Sequence, residues 1–219
     1  MLNKNVVFVI GAHPDDDVFG AGGTIAKYSS QGKKIVSLTM SYGEGSHLWL
    51  KRKVIVKTRV NEAKEAHKIL GVHSDYFFGL REGFFLKDAE ERNIYDRLES
   101  LIKEFRPYMI ITHSVDDWFH DHIATARIVN NVVKNLSWRK KPDVYCFDIW
   151  SPLTLKKRTN PKLFVDITDF FNLKIKALKC FRSQGLAMFS LYWSVFVRAF
   201  LSGSQIRKRF AEVFYKVDV

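Results

Sequence analysis

The segment from Val6 to Asp17 places the strongest constraint on how this chain can fold. It reads VVFVIGAHPDDD, and its first five residues are apolar and mostly β-branched. A short run of this kind, ended by a turn signal, predicts a fully buried strand of a parallel sheet. Gly11 and Pro14 end that strand. One histidine and three aspartates are left at its carboxyl end, which is where open α/β sheets bind their ligands.

A second polar cluster, HSVDDWFHDH, covers residues 113–122 and again follows an apolar run directly. For a single cluster, an aspartate-rich turn exposed to solvent is the simpler interpretation. Here two clusters combine imidazoles with carboxylates, and each stands at the end of a predicted strand. This arrangement favours one shared site for a divalent metal such as zinc.

The rest of the pattern predicts an α/β fold. Short apolar runs predict further strands at 34–41, 76–78, 108–112, 144–149 and 163–165. Helical spacing predicts helices at 18–30, 52–70, 92–105, 122–136 and 169–182. Alternation of this kind indicates a Rossmann-like, mostly parallel sheet flanked by helices. We expect a single domain over 1–219, with a core α/β part at 1–141 and a C-terminal elaboration of strands and helices at 142–219.

The charge balance favours anionic partners. The chain carries 35 Lys and Arg against 23 Asp and Glu, a formal net charge of +12. No nucleic-acid recognition motif accompanies this charge, so specific nucleic-acid binding is not expected. The first apolar run lacks the cleavage pattern of a signal peptide, and no segment reaches the roughly 18 apolar residues of a spanning helix. We therefore expect a cytoplasmic protein.

The segment at 186–201 is aromatic and apolar, and the basic triplet 207–209 follows it. A buried helix is the default interpretation. An apolar flap at the mouth of a pocket and a peripheral membrane contact over 186–209 are the alternatives. Aromatic residues beside a basic cluster favour a place near the pocket or at a lipid-facing surface. A membrane-associated form of the cytoplasmic protein is therefore a second expectation.

Together the two clusters resemble the PIG-L/LmbE-like family of zinc-dependent N-deacetylases, which act on N-acetylglucosamine-type sugars. The motifs that carry the resemblance are Ala-His-Pro-Asp-Asp at 12–16, the glycine-rich helix start at 20–24 and the distal pair at 121–122. Further similar features extend the resemblance over nearly the whole chain, at 43–44, 59–62, 166–169, 176–184 and 211–214.

The resemblance implies roles for individual residues. His13, Asp16 and His122 would hold one zinc ion per chain, with other divalent metals as alternatives. Asp15 would be the general base. Three protein ligands leave positions open for water and substrate, and amide hydrolysis needs a base to accept the proton of that water. Asp121 is interpreted as a partner that orients a histidine, and equally as the N-cap of a helix that opens at His122.

One departure from the family concerns the substrate carbonyl. Family members usually carry His-x-Asp-His here, and the first histidine polarises that carbonyl, but its position is Phe119 in this chain. Phenylalanine cannot donate a hydrogen bond, so His120 or another donor takes the role, or the activity is weak or altered. The candidate catalytic residues are Asp15, His120 and Asp121, and the candidate substrate-binding residues are Arg59, Glu44 and Phe119.

The sequence thus predicts a zinc-dependent hydrolase that removes an N-acetyl or related short acyl group from an amino-sugar conjugate. The net charge suggests an anionic substrate, linked to a nucleotide or a lipid. One alternative is a catalytically impaired metal- or sugar-binding module of the same fold. Another is a magnesium-dependent phosphoryl-transfer enzyme in which residues 15–17 hold the ion, although the two histidine ligands argue against it because magnesium prefers oxygen. A homo-oligomer is a further hypothesis.

Overall fold

The structure is a computed structural model that describes residues 1–46, 51–149 and 159–219, without the side chains of Ser46 and of residues 186–190. Seven strands are found in this part of the chain. They are β1 (Asn3–Gly11), β2 (Lys34–Thr39), β3 (Ser74–Phe77), β4 (Pro107–Thr112), β5 (Asp143–Cys146), β6 (Lys162–Asp166) and β7 (Ala211–Val217). The α-helices are α1 (Asp16–Ser30), α2 (Arg52–Leu70), α3 (Phe85–Glu91), α4 (Ile94–Phe105), α5 (His120–Asn135), α6 (Phe171–Leu178) and α7 (Gly185–Gln205).

The strands form one sheet in the order β3-β2-β1-β4-β5-β7-β6. The first five of these are parallel, and β7 runs antiparallel to both β5 and β6. The predicted mostly parallel sheet is therefore confirmed. Strand order reverses between β1 and β4, so their carboxyl ends form the switch point at which sheets of this kind bind ligands. The first polar cluster follows β1, and the second follows β4.

Burial on both faces explains why residues 6–10 of β1 are apolar without interruption. Val7 and Val9 pack on one face against α1, α2, α6 and α7. Val6, Phe8 and Ile10 pack on the other face against α3, α4 and α5. The two apolar layers fix the placement of β1 within the sheet. This placement sets the position of the turn that carries His13.

Several predicted bounds differ from the structure. Residues 85–105 form two helices, because Asn93 adopts a left-handed φ of 53° between them, and the sequence pattern missed α3. Strand β7 was also missed, the predicted strand at 144–149 ends at Cys146, and the helix predicted at 169–182 is limited to α6. Helix α5 begins at His120 with Phe119 as its N-cap, so the interpretation of Asp121 as an N-cap is wrong.

The aromatic segment is helical, as predicted, but only one of its faces is buried. Leu191, Val195 and Ala199 pack into the core, whereas Trp193 and Phe200 are exposed. For the side chains that are described, the default interpretation of a buried helix therefore holds for one face of the helix only. Within the described residues no helix is long and apolar enough to cross a membrane.

Candidate metal centre and active site

The three predicted metal ligands lie together at the switch point. Nδ1 of His13 is 3.4 Å from Oδ2 of Asp16, and Nε2 of His122 is 3.6 Å from Oδ1 of the same carboxylate. One ligand atom from each residue lies within 4.8 Å of the other two. His13 stands in the turn after β1, Asp16 opens α1, and His122 lies in the first turn of α5. Two imidazoles and one carboxylate are a donor set that suits zinc.

Charge is concentrated in this cluster. Burial acts to lower the pKa of His13, but hydrogen bonds to Asp121 and Asp16 and the charge of Asp16 outweigh it and raise the pKa to about 10. Burial acts to raise the pKa of Asp16, but the charge of His122 and the hydrogen bonds from His113 and His13 hold it well below its usual range. Without a metal, His13 therefore carries a proton that a metal ion would have to displace.

Each candidate imidazole ligand meets a further carboxylate through its second nitrogen. Oδ2 of Asp121 is 3.4 Å from Nε2 of His13, and Oδ2 of Asp117 is 3.1 Å from Nδ1 of His122. Such partners fix the orientation and tautomer of a ligating histidine. Asp121 thus contacts one of the candidate ligands, and the orienting role predicted for it stays a prediction. Sequence reasoning missed Asp117, although its place within the second polar cluster was an available signal.

His113 is buried and packs against the ring of His122. The two rings stack with their centroids 3.9 Å apart, and Nε2 of His113 is 3.1 Å from Oδ2 of Asp16. Burial and the like charge of His122 lower the pKa of His113 to about 4, so this imidazole is neutral at neutral pH. His113 therefore packs against the ligands without adding positive charge to them.

Asp15, the predicted base, is held beside the cluster by an arginine from α2. Its Oδ1 is 3.3 Å from Nη2 of Arg59, whose side chain is 3% exposed. Gly43 makes room for that guanidinium: it has a φ of 69°, and a Cβ at this position would lie 2.7 Å from Nε of Arg59. The contact that the structure shows for Arg59 is with Asp15, and the predicted contact of Arg59 with substrate stays a prediction.

The other predicted site residues are spread around the cluster. The ring of Phe119 is exposed and lies 5.2 Å, centroid to centroid, from that of His122. His120 is exposed in the first turn of α5, and it belongs to none of the possible metal-binding groups in the described residues. Glu44 is placed in the 3₁₀ turn after β2, where its Oε1 is 2.8 Å from Nη2 of Arg52.

Asp17 is turned away from the metal cluster. Its Oδ2 accepts a hydrogen bond of 2.7 Å from Ser37 and lies 2.8 Å from Nε2 of His67. His67 also contacts Asp75. Burial acts to lower the pKa of His67, but the charges of Asp17 and Asp75 and their hydrogen bonds raise it to about 10. The carboxylate of Asp17 thus links α1 to α2, so the magnesium alternative, in which three consecutive aspartates hold the ion, is wrong.

Fold and site together define an α/β protein with a candidate metal centre at the carboxyl ends of two neighbouring parallel strands. Residues 8–133 match the family model described as PIG-L, GlcNAc-PI de-N-acetylase. The chain therefore belongs to the PIG-L family, as its two polar clusters predicted.

The chain is also similar to individual named proteins, and a solved structure shows the same fold. The chain is 28% identical over 192 residues to a probable N-acetyl-alpha-D-glucosaminyl L-malate deacetylase of Bacillus cereus, covering 83% of this chain and 84% of that protein. It is also 28% identical over 193 residues to a 4-oxalmesaconate hydratase of Pseudomonas putida, with 80% and 72% covered. The N,N'-diacetylchitobiose deacetylase from Pyrococcus horikoshii superposes with a TM-score of 0.81 at 23% identity, covering 98% of this chain and 84% of that one, and shows the shared fold.

Proposed function

We propose that this chain is a zinc-dependent N-deacetylase that removes an acetyl or related short acyl group from an amino-sugar conjugate. The observation that carries the proposal is the convergence of His13, Asp16 and His122, with Asp15 next to Asp16 in the chain and paired with Arg59. This donor set is of the kind that catalytic zinc takes. The names of several relatives, which are deacetylases of N-acetylglucosaminyl compounds, support the reaction class.

The residues of the chain account for the proton transfers that amide hydrolysis needs. Zinc in such a site lowers the pKa of its water to about 7, which makes a nucleophile available at neutral pH. Asp15 accepts a proton from the attacking water and returns it to the amine nitrogen as the C–N bond breaks, so the products are acetate and a free amine. Arg59 keeps that carboxylate in place, while Asp117 and Asp121 orient the two imidazoles.

The direct test is product analysis with the zinc-loaded protein. Incubation with N-acetylglucosaminyl conjugates, including nucleotide- and lipid-linked ones, should release acetate and free amine in equal amounts. Because the Pseudomonas putida relative is named as a hydratase, hydration is the reaction to exclude. The protein is therefore incubated with 4-oxalmesaconate in parallel, and the absorbance of that acid is followed. Hydration of that acid without acetate release from any conjugate would contradict the proposed function.

Phe119 is expected to limit the rate, because it stands where the family usually places a carbonyl-polarising histidine. Its ring is next to that of His122, so an imidazole at this position would reach the cluster. We expect Phe119→His to raise kcat by about 100- to 1,000-fold, the usual effect of one oxyanion donor. His120→Ala should lower kcat only modestly, because His120 is proposed as a partial substitute and is exposed.

The measurement compares Phe119→His, His120→Ala and the double variant on one N-acetylated substrate. If the phenylalanine replacement gains no activity, another group already holds the oxyanion and the missing-donor account is wrong. If His120→Ala abolishes turnover, His120 is the main donor despite its exposure.

The exposed face of α7 leads us to propose contact with an anionic membrane surface. Trp193 is 71% exposed and Phe200 is 51% exposed, and together with Phe196 they lie on one face at helical spacing. The exposed basic residues 207–209 follow directly. Apolar side chains beside basic ones are typical of helices that lie in a membrane interface, where the charge attracts anionic lipid.

We expect the intact protein to float with phosphatidylglycerol vesicles at low salt and to be released at high salt. A Trp193→Ser and Phe200→Ser double variant should lose this binding, whereas Trp118→Ser, which alters an exposed tryptophan elsewhere, should keep it. If the intact protein ignores the vesicles while dimerising through this face, the partner is a second copy of the chain and the membrane proposal fails.

A further inference from the structure

A cavity of about 180 Å³ lies between α7, β7 and the first turns of α1. It belongs to the layer of the molecule in which α1, α6 and α7 pack on the sheet. Its apolar lining comes from α1, α7 and β7, namely Phe19, Val195, Ala199, Leu201, Ala211 and Val213. Its charged lining consists of Asp148, Lys174, Arg198 and Glu212.

This cavity is separate from the candidate metal centre. Of the described residues, those that line it include none of the three candidate metal ligands. Phe147 is in contact with both places. A Cβ on Gly20, in the cavity wall, would lie 2.5 Å from the Phe147 ring, and the centroid of that ring is 4.9 Å from that of His113. The proposed deacetylation therefore does not account for the cavity.

Lys174 and Glu212 neutralise each other in the cavity wall. Nζ of Lys174 is 2.6 Å from Oε1 of Glu212 and donates a hydrogen bond of 2.7 Å to the backbone carbonyl of Phe19. The carboxylate of Glu212 also accepts hydrogen bonds from the backbone N–H groups of Gly23, at 3.0 Å, and Thr24, at 2.7 Å. This ion pair finds its partners within the protein, so it offers a ligand little net charge.

Arg198 is the cation of the cavity that a ligand can use. Its Nη1 donates a hydrogen bond to the backbone carbonyl of Asp148. Its Nε is buried and has no hydrogen-bond partner among the described residues. Burial lowers the pKa of Arg198 to about 10, although the charges of Asp148 and Glu212 act against it, so the guanidinium is protonated at neutral pH. A buried charged donor without a partner is costly, and an anion that pairs with it removes that cost.

The size of the cavity and the single guanidinium define the class of ligand. An apolar cavity of about 150 Å³ holds a benzene molecule, so this one has room for one small ring or a short chain. A carboxylate matches the single charge of a guanidinium and pairs with it through two parallel hydrogen bonds. We propose that the cavity binds a small organic carboxylate, which pairs with Arg198 and lays its apolar part against side chains of α7 and β7. This binding does not depend on the proposed deacetylase function.

The test titrates benzoate and benzamide separately into the intact, zinc-loaded protein and follows binding by NMR of the ligand. The two molecules have nearly the same shape, but only benzoate is charged. Benzoate should bind about 10- to 100-fold more tightly, the effect of a hydrogen bond to a charged group. Arg198→Gln should lower the affinity for benzoate to that for benzamide. Arg127→Gln, which removes an exposed arginine on α5, is the matched control and should change neither affinity.

Two other variants locate the bound molecule. Ala199→Leu fills part of the cavity and keeps the charge of Arg198, so it should weaken binding of both ligands by about 10-fold or more. His122→Ala removes a candidate metal ligand that lies outside the cavity lining, and it should bind benzoate as the unaltered protein does.

Several results would overturn the proposal. They are an absence of benzoate binding, equal affinities for benzoate and benzamide, and binding that Ala199→Leu leaves unchanged. Loss of benzoate binding in His122→Ala, with full binding in Arg198→Gln, would show that the carboxylate binds at the metal centre instead. Melting temperatures check that each variant is folded. If Arg198→Gln is not, the comparison of benzoate with benzamide and the Ala199→Leu variant decide the outcome.

Discussion

Replacing Asp15 by asparagine should lower kcat for acetate release by about 100- to 10,000-fold, the usual contribution of a general base. The amide has nearly the same shape but cannot accept the proton of the attacking water. Because Asp15 is not in the group formed by His13, Asp16 and His122, the variant should still bind one zinc ion per chain. Elemental analysis and a turnover assay on the same preparation measure the two effects separately.

A matched control removes a carboxylate elsewhere. Asp96→Asn, at an exposed position of α4, should leave both zinc content and kcat unchanged. If Asp15→Asn loses zinc and activity in parallel, Asp15 is a metal ligand and the proposed base must be sought elsewhere. If it keeps full turnover, the base assignment is wrong.

Replacing His122 by alanine should remove the metal and, with it, measurable turnover. The change leaves only His13 and Asp16 of the three converging donors, and a zinc site of this kind needs three protein ligands. In the intact protein, the apparent zinc affinity should rise with pH up to about 10, because below that value zinc competes with the proton on His13. Competition with a chelator at several pH values measures the affinity of each variant.

Two further variants test which neighbouring residues contribute to the zinc affinity. Asp117→Asn keeps the three ligands but weakens the partner of His122, so it should lower zinc affinity by about 10- to 100-fold without abolishing binding. His120→Ala removes an exposed histidine two residues away and should leave the affinity unchanged. Undiminished zinc in His122→Ala would show that the metal, if any, is held by a different set of residues.

The sequence predicted the parts of the fold that depend on local pattern. The run at 6–10 is apolar because β1 is covered on both faces, and such a strand can be recognised without knowing its neighbours. The helical spacing at 52–70 gave α2 with its correct bounds, since Gly71, with a φ of 75°, ends it in the left-handed conformation. By contrast, β7 was missed because its pairing with β5 and β6 depends on partners distant in the chain.

At the site, the sequence by itself determined which residue types stand at the ends of β1 and β4. It also predicted that the two polar clusters belong together, because the carboxyl ends of parallel strands share one edge of a sheet, and the resemblance to the PIG-L/LmbE-like family then implied His13, Asp16 and His122 as the ligands within them. Only the tertiary structure decided how the remaining polar groups are used. Spacing in the sequence does not say which way a side chain points, or which distant element packs against it.

Asp15 and Asp17 illustrate this division. The two carboxylates are two residues apart and chemically identical, yet Arg59 from α2 holds the first beside the metal cluster, while Ser37 and His67 take the second into the core. Each choice depends on a donor at least 20 residues away in the chain. The sequence therefore determined which chemistry this edge of the sheet can support. The packing of α1 against β2 and α2 decided which carboxylate remains available for that chemistry. The physical reason is that a buried carboxylate must accept hydrogen bonds from whichever donors the fold brings to it.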